Sequence, residues 1–137
     1  MAREAIPKFP SVELMGAAQA AEKAAGLRLL VLHGSRARGD ARGDSDWDLA
    51  FLADSTFDPD ALLARLGEEL GTDQVDLADL SRASALLRFK TASEGLPLYE
   101  RESGLFDRFR LEAVSTWCDM EPVLTRAYDA QLARQAT

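Results

Sequence analysis

Two aspartates one residue apart, Asp46 and Asp48, follow a Gly34-Ser35 pair after ten intervening residues, within HGSRARGDARGDSDWDLAFL (33–52). If 47–53 is extended, side chains alternate faces, so both acids project on one side and Trp47 on the other. Carboxylates ~7 Å apart on one face repel and lose hydration unless a positive charge sits between them. A hard divalent cation such as Mg²⁺ answers that need through carboxylate oxygens. Asp76, in QVDLADL (74–80), completes a trio if its strand lies beside the first; Asp79 faces the opposite way and suits a helix cap.

Acids holding two metal ions are a known means of running in-line phosphoryl or nucleotidyl displacement. That chemistry gives Gly34 and Ser35 a role. Glycine lets backbone approach a phosphate, successive N–H groups at a helix start bind anions, and the serine hydroxyl adds a donor. Arg36 is the basic residue nearest this cradle and is the leading candidate to touch phosphate; Arg38 and Arg42 carry no assigned role. His33 reads as structural, and Arg88 and Lys90 as solvated helix residues within possible reach of a nucleotide. The two Arg-Gly-Asp triplets, 38–40 and 42–44, are by-products of a glycine-rich turn.

These residues need a scaffold. Ser11 caps a helix predicted to about Ala25, ended by Gly26. LRLLVLH (27–33) and WDLAFLA (47–53) read as strands with a short helical turn between them. Asp58-Pro59 opens a helix over 59–70, 74–80 is a third strand, a helix runs from Ser81 to Gly95, and LPLYE is extended but weakened by Pro97. From about 103 the chain is one long amphipathic helix that Pro122 should kink or break, with Trp117 and Cys118 in core or interface. The class is α/β (α+β): one domain over 1–137, a small mixed sheet flanked by helices, with a core of about 27–101 and a helical segment of about 103–135.

Composition narrows the chemistry. A chain of 137 residues suggests a single domain. One cysteine, Cys118, excludes an internal disulfide and a cysteine-built zinc site, and one histidine leaves little room for a Ser-His or Cys-His nucleophile. With 23 acids against 16 bases the net charge is −7, a poor match to direct nucleic-acid binding. No stretch approaches the roughly 18 apolar residues of a membrane span, and MAREAIPKFPSVELMG lacks a signal-peptide core, so a cytoplasmic protein is expected.

Gly34-Ser35 followed at this spacing by Asp46-Trp47-Asp48-Leu49 resembles the signature of the DNA polymerase β-like nucleotidyltransferase superfamily. The longer run GSRARGDARGDSDWDLAF is similar to the minimal nucleotidyltransferases, the MntA-type antitoxins paired with HEPN-domain toxins. QVDLADL, LLRF and EGLPLYER resemble the remainder of that family, extending the likeness over about 27–101. Trp47 stands where the family usually carries a smaller aliphatic residue. The resemblance implies a polymerase β-like fold, Mg²⁺ at Asp46, Asp48 and Asp76, ATP as donor, and a partner toxin whose tyrosine accepts AMP. Two other activities fit the residues less well. A transferase for a small hydroxylated molecule such as an aminoglycoside usually has a further helical domain, and an antitoxin acting by binding alone would not need the acids and the Gly-Ser pair.

Overall fold

The computed structural model describes residues 11–135. The elements run α1 (Val12–Glu22), β1 (Leu27–His33), α2 (Gly34–Arg38), β2 (Trp47–Ala53), α3 (Pro59–Leu70), β3 (Val75–Asp79), α4 (Ala85–Glu94), β4 (Leu96–Glu100) and α5 (Leu105–Gln135). The sheet order is β3-β2-β1-β4; β1 pairs antiparallel with β2 and β4, while β2 and β3 are parallel.

Local chemistry sets most element ends. The Ser11 hydroxyl accepts from the Leu14 amide and starts α1; the Asp58 carboxylate accepts from the Asp60 and Ala61 amides ahead of Pro59 and starts α3. Two boundaries depart from expectation. The first helix stops at Glu22, short of Ala25, and α4 begins at Ala85 because Ser84, not Asp79, supplies its cap, accepting from the Leu87 amide. Asp79 instead accepts from the Ser81 amide and hydroxyl, closing a turn directly after β3.

Side-chain alternation divides the core into two layers. On one face Leu30, Leu32, Trp47, Leu49, Phe51 and Leu98 pack against α1 and α3. On the other, Leu29, Val31, Ala50 and Leu80 meet α4 and the first two turns of α5 through Ala92, Leu105, Phe106 and Phe109. The α4 terminus lies tight on β1: a Cβ at Gly95 would strike the Thr91 carbonyl and the Val31 side chain, so this glycine serves close approach and its φ of −72° is ordinary.

Pro122 does not break α5, which continues to Gln135. Proline deprives the Cys118 carbonyl of its helical donor, but this part of the helix is exposed and water can take that place. After Ala113 the helix buries no residue fully; Trp117 stacks on Phe89 at 5.5 Å, and Cys118 is exposed. The remainder of α5 presents Met120, Val123, Leu124, Tyr128 and Leu132 to solvent. No helix among the described residues is long and apolar enough to cross a membrane.

Candidate active site

The pairing register builds the site. His33 on β1 stands opposite Asp48 on β2, and Asp48 stands opposite Asp76 on β3. Cross-strand partners share a face, so the three side chains form a row across the sheet end, on the α4/α5 side. Asp46 immediately precedes β2 and, two residues from Asp48, continues that face. Asp46 and Asp76 are exposed and Asp48 is half-buried. Among the described residues no three His, Cys, Asp or Glu side chains already converge as a metal-binding group.

The chain leaves His33 directly into the one-turn helix α2, and the left-handed backbone of Gly34 (φ +73°) makes the corner. A Cβ at this position would run into the Asp48 carboxylate. The turn and the metal-type acid are therefore in contact across the first two strands, and space exists there because residue 34 has no side chain. The start of α2 has no side-chain cap, leaving its first amides available to an anion, with the Ser35 hydroxyl alongside. Hard oxygen donors next to an uncapped amide turn fit a divalent cation and a phosphate chain. Asp46, Asp48 and Asp76 would hold the cation, whose charge would offset that of the phosphates and of the attacking oxygen.

His33 is half-buried, and burial lowers its pKa against the opposing pull of Asp48 and Asp76. Its imidazole is neutral at neutral pH, and Nε2 is buried without a hydrogen-bond partner. The sequence offered no signal for this beyond the residue's place at a strand end.

Arg36, the residue expected at the phosphate cradle, is engaged by the loop that precedes β2. Its Nε and one terminal nitrogen donate to the Ser45 carbonyl at 3.1 and 2.7 Å, with a longer bond to the Gly43 carbonyl at 3.4 Å. The guanidinium lies 4.0 Å from the centre of the Trp47 ring, on the face of β2 opposite the acids. It thus clamps the loop that delivers Asp46, and Trp47, unusual by resemblance, is the platform beneath it. Arg36→Lys should keep the charge but lose the planar fork, costing about 1–2 kcal/mol in thermal unfolding and lowering turnover through a looser Asp46. A rise in the KM for ATP at unchanged stability would return Arg36 to the phosphates.

Other cations are also engaged. Arg38 pairs with Asp40 and Glu94, tying α2 to the end of α4. Arg88 donates to the Leu80 carbonyl at 2.6 Å and approaches Glu112 on α5, so it braces α4.

The polymerase β nucleotidyltransferase family model matches residues 17–104. The chain belongs to this family. The matched region contains the Gly34 turn, Asp46, Asp48 and Asp76. A protein adenylyltransferase MntA from Aphanizomenon flos-aquae (strain 2012/KM1/D3) is 35% identical over 96 residues, covering 61% of this chain and 64% of that protein. The match thus spans just under two thirds of that relative. A chain from the crystal structure of a toxin–antitoxin with AMP-PNP superposes with a TM-score of 0.70 over 90% of this chain and 99% of that one; at 24% identity it shows the shared fold. Another, from a tri-AMPylated Shewanella oneidensis HEPN toxin in complex with MNT antitoxin, gives 0.60 at 26% identity, covering 79% and 85%. The four-stranded sheet with flanking helices is this nucleotidyltransferase fold.

Proposed function

We propose that this member of the family is a Mg²⁺-dependent protein adenylyltransferase antitoxin, transferring AMP from ATP to a tyrosine of a cognate HEPN-domain toxin. The observation that carries the reading is the contact between the Gly34 turn and Asp48, with Asp76 opposite Asp48 in the sheet and Asp46 two residues before it. It sets an anion-accepting turn against the acids that would hold the metal.

In the proposed reaction the α2 amides and Ser35 grip the triphosphate and hold its α-phosphorus before the acids. The tyrosine oxygen bonds to that phosphorus, the bond from phosphorus to the bridging oxygen breaks, and pyrophosphate leaves. Tyrosine, with a pKa near ~10, is a poor nucleophile at neutral pH; in this reading Asp76, which is exposed, takes its proton. Ser35→Ala should cost on the order of 1–2 kcal/mol of transition-state binding, read as kcat/KM.

Two further observations favour a protein acceptor. The curated relative is itself a protein adenylyltransferase, and a relative's partner toxin is AMPylated. The second half of α5 carries an apolar stripe that no element among the described residues covers, which suits docking of the toxin. The test is to incubate the chain with the purified toxin and Mg·ATP and record intact masses. Toxin heavier by one or more adenylate groups, and unchanged with Asp46→Asn, supports transfer. A toxin neutralised without mass gain hands the case to an antitoxin that acts by binding alone.

A further inference from the structure

The two edges of the sheet are not alike. The β4 edge contains Pro97, and its register to β1 is irregular between Leu30 and Val31, features that discourage another strand. The β3 edge has no proline and an unbroken register with β2 from Val75 to Asp79. Two bonds fix which backbone groups it leaves free: the Trp47 amide donates to the Gln74 carbonyl at 3.0 Å, and the Leu80 amide to the Phe51 carbonyl at 2.9 Å. In a parallel ladder the even-numbered residues of β3 therefore turn toward β2, and the amides of Val75, Leu77 and Asp79 and the carbonyls of Val75 and Leu77 point outward, the Asp79 carbonyl being taken by the Arg82 amide at 3.1 Å.

Beside this edge, between α3 and β3, lies an open groove of about 570 Å³. Leu63, Ala64 and Val75 supply apolar walls, and Asp60, Glu68 and Asp73 line it with no basic residue among them. The groove is on the α3 face of the sheet, and Asp76 is on the other face of the same strand.

We infer that the β3 edge seats the acceptor polypeptide as an added strand. This deepens the proposed function and rests on its premise that the acceptor is a protein. The occupant is an extended segment carrying Lys or Arg, whose apolar stems cover Leu63 and Val75 while their charges meet Glu68, Asp73 and Asp60. Because side chains of an added strand alternate faces, a neighbour of the residue in the groove projects on the Asp76 side, where the hydroxyl must arrive. Main-chain bonds to Val75, Leu77 and Asp79 give the segment its hold, and the acidic groove gives it register.

The experiment uses the full chain and its separately purified cognate HEPN-domain protein. Amide exchange of the chain is measured with and without the partner, in the absence of ATP. Slowed exchange at Val75, Leu77 and Asp79 is expected; a complex that leaves these three amides unprotected overturns the inference. In parallel, Glu68→Lys/Asp73→Lys, which lies outside the catalytic residues, should raise the KM for the partner roughly tenfold while kcat and Mg·ATP affinity hold. An unchanged KM overturns the charged-groove part. The two ideas fail separately: protected β3 amides without any adenylate on the partner would sink the transfer reaction and leave edge docking standing, whereas transfer without protection would do the reverse.

Discussion

Asp46→Asn/Asp48→Asn is expected to abolish nucleotide transfer and to leave the fold intact. Both acids project from the mouth of β2, Asp46 exposed and Asp48 half-buried, and neither forms a hydrogen bond or ion pair with another described side chain. Their removal therefore breaks no structural network. It deletes two of the three carboxylates that would hold the cation beside the phosphates, so turnover should fall by at least about 10³-fold. Stability should move the other way: without metal, three acids on one sheet face repel, and removing two charges should hold or raise the melting temperature. Calorimetric titration of wild type and double variant with Mg·ATP, together with their thermal unfolding, checks both halves. Equal Mg·ATP binding by the two proteins would rule out these residues as the metal site.

The second large effect is expected at Gly34. Valine there meets two obstacles at once. A φ of +73° is strained for any side chain and worst for a β-branched one, costing on the order of 1–3 kcal/mol. Its Cβ also occupies the ground of the Asp48 carboxylate, so either the turn or the acid must shift. A displacement near 1 Å of a group that positions reactants can cost about 10²-fold in rate. Gly34→Val should thus lose roughly that much kcat/KM and melt lower than wild type, with Gly34→Ala affected less. The comparison with the aspartate pair is informative because the signs on stability differ: relief of repulsion in one case, strain in the other. A valine protein with normal turnover on ATP would mean that the triphosphate does not lie on this turn.

Much of the molecule follows from short-range chemistry. The strands 27–33 and 47–53 are bounded as their aliphatic runs and flanking turns require, and α3 begins at Pro59 behind its Asp58 cap, because each feature is decided within a few residues. The membership of the family and the positions of Gly34, Ser35, Asp46 and Asp48 were legible for the same reason: they belong to one continuous stretch whose spacing is itself the signal. The period of two in an extended chain directs Asp46 and Asp48 to one side before any pairing is known. What sequence could not decide was what lies across from what. Asp76 adjoins Asp48 only because β3 pairs parallel to β2 in one register, and a slip by one residue would have presented Val75 or Leu77 instead. That Arg36 meets the Ser45 carbonyl and the Trp47 ring follows only from the loop folding back over β2. Proline removes one helical bond, which is why Pro122 suggests a kink or a break, yet whether that loss ends a helix depends on whether the orphaned carbonyl is dry or wet, and in α5 it faces solvent. Each of these outcomes depends on partners distant in the chain or on water, and neither is encoded in the spacing of neighbouring residues.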